Sequence, residues 1–268
     1  MTKIGTTTFG FRYSFLDPNC SPPLTEVIHH ARKAGVERIQ ICENTRPLEL
    51  SRSQWHEVLR CATQEGMELG LGCKTLSPAV VEQYMERAAW ISCDTLRVVM
   101  EEPDVHATPE AAVRLFDAVV PKMQAAGMRL AVENHFDISS TTLVELAERY
   151  PRETVGFCID TANSLRSFEQ SLEVLRLLGP RAICYHLKDY RVIGTLVSFA
   201  VEGAALGEGQ LDLNGCLKAI FEKDPSPQLY VETWTPSCGQ QDKDIAAEAD
   251  WLNRSVRALR SRLPQGAL

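Results

Sequence analysis

Apolar residues along the 268-residue chain follow two alternating periods. Short runs such as IQIC, LRVVM and LYVET are apolar at nearly every position. Strands buried on both faces of a parallel sheet read this way. The pattern predicts strands at 4–11, 37–42, 67–73, 95–100, 128–134, 155–160, 182–188 and 228–233. Between them, amphipathic stretches predict helices at 23–35, 51–66, 108–127, 141–150, 167–179, 213–223 and 242–263. Serine, threonine or proline opens most of these stretches and glycine closes several, as N-caps and left-handed C-terminal positions require. The words AGVERIQI and AGMRLAV join a helix end to a strand through Ala-Gly in the same way.

Strands alternating with helices argue for a parallel sheet, and eight units in a chain of this length argue for a closed (β/α)8 TIM barrel. A doubly wound open sheet would place a glycine-rich phosphate turn after the first strand. Here that segment is Thr7-Thr8-Phe9-Gly10-Phe11-Arg12, which lacks the GxGxxG pattern. No Pro/Gly/Ser-rich linker divides the chain. One barrel domain over 1–268 is expected, with a long loop at 190–209 over the active-site face.

Composition narrows the function. With 28 basic against 35 acidic side chains the formal net charge is −7, which disfavours nucleic acid and anionic membrane surfaces as partners. The first ten residues carry no apolar signal-peptide core, and no run approaches the roughly 18 apolar residues of a membrane span. The expected compartment is the cytoplasm, with the nine cysteines as reduced thiols. A homo-oligomer is compatible with all of this.

In a barrel of this kind the chemistry sits where the strands end. Four consecutive strands finish in Glu133, Asp160, His186 and Glu232, at spacings of 27, 26 and 46 residues. Each follows an apolar residue, so side-chain alternation turns it into the barrel mouth. A single Glu or His at a strand end is ordinarily solvated or salt-bridged. Four in register leave unpaired charge in a confined cleft unless something positive joins them. One divalent ion does so, and three carboxylates with one imidazole suit Mn²⁺ best, with Mg²⁺, Co²⁺ or Zn²⁺ as alternatives.

The words AVENH, CIDTAN, YHLKD, LGEGQLD and YVETW, in that order, resemble the xylose isomerase-like sugar phosphate isomerase/epimerase superfamily. That superfamily also includes dehydratases and the apurinic endonuclease IV type. The resemblance implies Glu133, Asp160, His186 and Glu232 as metal ligands. It further implies Glu133 and Glu232 as the catalytic pair that moves a proton on either face of the substrate. The third residue after the strand-six aspartate, often histidine in the superfamily, is Asn163 here.

The expected activity is a divalent-metal-dependent isomerase or epimerase acting on a small keto-sugar or oxo sugar acid. A metal on the carbonyl and a neighbouring hydroxyl stabilises the enediolate while a carboxylate takes the proton. The same intermediate serves a decarboxylase or dehydratase, which is the alternative. Candidate substrate contacts are His135 and Lys188, which share the inward phase, with Lys74, Arg12 and Arg191 as cations for an anionic substrate. Glu43 is a candidate for substrate hydroxyls and Trp234 for sugar stacking. Helical histidines such as His29 read as ordinary packing, and His106 as a loop residue. A nuclease is disfavoured: Asn163, Val201 and Gly203 stand where additional zinc ligands belong. A non-catalytic sugar-binding barrel is the remaining class, against which the complete ligand set argues.

Overall fold

The computed structural model describes residues 2–100, 109–136, 138–194 and 196–267. The strands are β1 (Ile4–Thr7), β2 (Arg38–Ile41), β3 (Glu68–Cys73), β4 (Thr95–Val98) and β5 (Arg129–Glu133). They continue as β6 (Val155–Asp160), β7 (Ala182–Leu187), β8 (Asp189–Gly194), β9 (Phe199–Ala204) and β10 (Leu229–Val231). The helices are α1 (Leu24–Lys33), α2 (Arg52–Gln64), α3 (Pro78–Trp90) and α4 (Pro109–Ala125), then α5 (Ser140–Ala147), α6 (Ser171–Leu178), α7 (Leu213–Phe221) and α8 (Gln241–Arg260). All strands but β8 and β9 pair in parallel and close on themselves in the order β1-β10-β7-β6-β5-β4-β3-β2. This is the expected TIM barrel.

Local chemistry sets the element ends. Ser51 caps α2 in a reciprocal box with Gln54, and Asp212 caps α7 by accepting from the Gly215 amide. The Ala-Gly words end α1 and α4 at Gly35 and Gly127, whose φ of 90° and 64° favours glycine. α3 is the helix that the boundary signals do not predict. It buries Val81, Tyr84 and Ala88 at helical spacing, but the chain leaves it through Ser92 at φ 55°, with no glycine stop.

Two other expectations are corrected. β1 ends at Thr7, four residues early, because Thr8 turns away to bond the end of β2: its hydroxyl donates to Asn44 Oδ1 and accepts from the Cys42 amide. The segment then continues as a 3-10 helix over Thr8–Phe15 against α8. The loop at 190–209 is largely an antiparallel ribbon, β8 on β9, with Val192 facing Val201 and Arg191 facing Glu202. His106 lies outside the described residues. Among the described residues no helix is long and apolar enough to cross a membrane.

The main core lies between the strands' outer faces and the helices, with Ile39, Ile41, Leu71, Leu96, Phe157 and Trp55 fully buried in it. A second, small apolar cluster of Ala131, Cys158, Cys184 and Tyr230 fills the barrel interior. Each of these four stands two residues before Glu133, Asp160, His186 or Glu232. Alternation therefore makes the cluster the floor beneath those polar groups.

Candidate metal centre and active site

Glu133, Asp160, His186 and Glu232 meet at the C-terminal mouth of the barrel, with 1%, 0%, 0% and 3% of their surface exposed. His186 Nδ1 stands 3.1 Å from Glu232 Oε2 and 3.3 Å from Glu133 Oε2, at ion-pair distance but without hydrogen-bond alignment. Its other nitrogen, Nε2, lies 3.1 Å from Gln40 Oε1. A proton on Nε2 shared with that oxygen leaves Nδ1 aimed at the carboxylates.

The neighbours fix each carboxylate separately. Asp160 Oδ1 accepts from the Ala162 and Asn163 amides at 2.8 and 2.9 Å, and Asn134 braces the Asp160 backbone on both sides. Glu133 Oε1 accepts from Asn163 Nδ2 at 2.7 Å, and Oε2 accepts from Arg97 Nε at 2.5 Å. Glu232 Oε2 accepts from the Thr7 hydroxyl at 2.7 Å. Lys188 Nζ lies 2.7 Å from Glu232 Oε1, 3.0 Å from Asp160 Oδ2 and 3.2 Å from Asn163 Oδ1.

Burial and charge oppose each other at every group. Burial pushes both glutamates up, yet Arg97 and His186 around Glu133, and Lys188 and His186 around Glu232, hold them below the usual range. Asp160 goes the other way: burial and the two glutamates raise it despite Lys188. Burial disfavours the charged imidazole, but Glu232 and Glu133 raise His186 to about 10. A positive charge between these carboxylates is therefore what the geometry calls for.

A divalent ion fits that requirement. Asp160 Oδ2 and His186 Nδ1 are buried polar atoms without a hydrogen bond among the described residues. Ligand atoms of Asp160, His186 and Glu232 fall within 4.8 Å of one another, and the set is oxygen-rich.

A cavity of about 270 Å³ opens above the centre. Of the expected substrate contacts, Arg12, Glu43, His135, Lys188 and Trp234 line it together with Phe9, Arg97, Asn163, Glu133 and Glu232. Lys74 and Arg191 do not line it. Lys74 is exposed beyond β3, and Arg191 points along the ribbon to the Glu208 carbonyl. Trp234 is held in place by donating its indole N–H to the Asp189 carbonyl at 2.6 Å.

Several site residues carry no signal in the linear pattern. Arg97 is buried in β4 and reaches both Glu133 and, at 3.6 Å, Glu43. Gln40 and Arg97 are the polar interruptions of IQIC and LRVVM, and that interruption is the one available clue. Asp189 anchors the ribbon's base, accepting from the Tyr190, Gly207, Gly209 and Leu211 amides at 2.8–3.0 Å. The GEG turn thus wraps a carboxylate of the chain itself.

Comparison with known proteins agrees with this architecture. A family model described as "Xylose isomerase-like TIM barrel" matches residues 28–255. The chain is 23% identical over 265 residues to a 3-oxo-isoapionate decarboxylase of Pectobacterium atrosepticum, covering 97% of this chain and 96% of that protein. A D-psicose 3-epimerase solved in the presence of D-fructose superposes with a TM-score of 0.73 at 16% identity, covering 97% of this chain and 98% of that one. A xylose isomerase-like barrel from Mycobacterium smegmatis in complex with magnesium gives a TM-score of 0.71 at 13% identity, covering 97% and 98%.

Proposed function

The chain belongs to the xylose isomerase-like TIM barrel family, and within it we propose a divalent-metal-dependent enzyme that decarboxylates a small oxo sugar acid. The observation that carries this reading is Arg12, which lines the cavity of about 270 Å³ with no ion pair among the described residues, whereas Arg97 and Lys188 are paired with the chain's own carboxylates. A neutral keto-sugar leaves that cation without a counter-charge, whereas a substrate carboxylate pairs with it. The 23% identity to a decarboxylase across nearly the whole chain supports the same reading.

Glu133, Asp160, His186 and Glu232 would hold the ion. When bound, it supplies an electrophilic charge beside the substrate's oxygens. The chain's own residues do the rest. Arg12 and Lys188 draw the substrate carboxylate into the cavity, and Trp234 with Phe9 covers the sugar carbons. Arg97 keeps Glu133 ionised and in place. The bond to the carboxylate carbon breaks, CO₂ leaves, and the electron pair stays on the carbon beside the carbonyl. Lys188, the cavity-lining ammonium 2.7 Å from Glu232 Oε1, donates the proton that this carbon takes up. Solvent then reprotonates Lys188.

Epimerisation or isomerisation of a keto-sugar is the second reading. It is favoured by Glu133 and Glu232, which both line the cavity, stand 3.3 and 3.1 Å from His186 Nδ1 and so offer two proton-transfer groups. Incubation of the Mn²⁺-loaded protein with 3-oxo sugar acids and keto-sugars in D₂O separates the two. CO₂ release with one deuterium in the product is expected. Deuterium in an isomeric product with the carbon count unchanged replaces the first reading by the second. A metal-free preparation after expression in supplemented medium would return the protein to the class of sugar-binding barrels.

A further inference from the structure

The floor of the metal centre contains ligands of a different chemical kind. Cys158 and Cys184 face each other across the β6–β7 register, two residues before Asp160 and His186. Both are buried, and the proposed reaction uses neither. Cys158 Sγ is 3.9 Å from Glu133 Oε2, which is 3.3 Å from His186 Nδ1. Ligand atoms of Glu133, Cys158 and His186 lie within 4.8 Å of one another, as compactly as those of the oxygen-rich set above. Around a tetrahedral zinc, donor atoms stand roughly 3.3–3.6 Å apart, given metal–ligand bonds of about 2.0–2.3 Å. The observed spacing needs only small side-chain adjustments to meet that geometry.

We propose that the barrel holds a second, lower metal site for a soft divalent ion such as Zn²⁺ or Cd²⁺, formed by Cys158, Glu133 and His186 with Cys184 alongside. Thiolate selects soft ions, whereas the upper set of Asp160, His186 and Glu232 offers carboxylate oxygens that suit Mn²⁺ and Mg²⁺. Binding replaces the Cys158 S–H bond with a sulfur–metal bond and sends the proton to solvent, with no change of oxidation state. His186 belongs to both sets, so the two occupancies exclude each other. A soft ion in the lower site therefore displaces the hard ion and inhibits. This inference rests on the metal-dependent reading above for the upper site alone.

The test is metal titration of the chelator-treated full chain, with the exposed Cys20 and Cys238 and the half-buried Cys93 replaced by serine so that no accessible thiol contributes. Cd²⁺ is expected to produce a thiolate-to-metal charge-transfer band in the ultraviolet, and Mn²⁺ none. Cys158→Ser should abolish the band and weaken Cd²⁺ about tenfold or more, while Mn²⁺ affinity read by electron paramagnetic resonance changes less than about threefold. Asp160→Asn should do the reverse, weakening Mn²⁺ and keeping the Cd²⁺ band. No band in the parent protein, or a band that survives Cys158→Ser, overturns the proposal. Zinc-edge X-ray absorption gives the same decision without a variant at Cys158. Sulfur bound to zinc supports the lower site, and a shell of oxygen and nitrogen alone overturns it. Mn²⁺ that fails to bind the parent overturns the upper-site reading instead, and the sulfur signals still decide the lower one.

Discussion

The barrel strands divide into two halves that meet at one mouth with different chemistry. β5, β6, β7 and β10 end in Glu133, Asp160, His186 and Glu232, the candidate ligands. β1, β2 and β4 contribute Thr7, Gln40 and Arg97, each of which grips one member of that set. Neither half is sufficient. Three buried carboxylates repel one another and lose hydration, and the earlier half returns hydrogen bonds and one permanent cation. The later half supplies reactivity, whereas the earlier half makes that reactivity stable inside a folded protein.

Substitutions in the two halves should therefore fail differently, and the largest effect belongs to the later half. Glu133→Gln or Glu232→Gln is expected to lower turnover by about 10²–10⁴-fold, because each removes a carboxylate that would hold the ion, and Glu232 also positions the Lys188 ammonium. Steady-state kinetics on protein with an unchanged circular dichroism spectrum checks this; near-normal turnover would sink the mechanism. Arg97→Met should fail on stability instead. It leaves the buried Glu133 without this cation, and removing one partner of such a buried pair costs about 3–5 kcal/mol. Urea denaturation reads that loss, and a change below about 1 kcal/mol would show that the pairing is dispensable.

Gln40→Leu lies between these two. It removes the acceptor that holds His186 with Nδ1 towards the carboxylates, so metal affinity should fall about 10–100-fold with the fold intact. Calorimetric titration with Mn²⁺ measures it; an unchanged affinity would mean that the imidazole needs no orienting partner.

Glu248 in α8 sharpens the comparison from outside the barrel, as a buried carboxylate without an ion pair among the described residues. Burial raises it to about 8, although the Tyr13 amide donates to it at 3.0 Å. Its folded-state value exceeds the unfolded value of about 4.5, so unfolding releases a proton between the two. Its contribution to stability is complete below pH 4.5 and is lost as pH rises through 8, at most about 1.4 kcal/mol per pH unit. Glu248→Gln should remove that slope, and denaturation at pH 6 and pH 9 tests the sign. The smallest effect is expected at Lys74 and Arg191, outside the cavity, where alanine should change kcat/KM by less than about twofold.

The barrel was legible because a buried parallel strand needs apolar residues on both faces, and that demand is local. The four candidate ligands were legible for a related reason: each follows an apolar residue at the end of its run, so period and position together give direction. α3 escaped because its exit uses Ser92 where a glycine was sought, and the ribbon escaped because β8 and β9 find each other only across a turn. Lys74 lies just past β3 and Arg191 on a ribbon strand that the pattern does not show, so no period oriented either side chain, and neither lines the cavity. Arg97 and Gln40 were visible as polar interruptions, but an interruption names no partner.

The order of strands and helices, the barrel class and the identity of the four residues at the strand ends were thus determined by the sequence itself, through patterns a few residues long. Tertiary structure alone decided which groups pair: Arg97 with Glu133, Lys188 with Asp160 and Glu232, Gln40 with His186, and Cys158 beneath Glu133. These partners stand 25 to 146 positions apart. Their meeting is set by barrel closure and strand register, and the burial that closure imposes turns ordinary acids, bases and thiols into a coupled site.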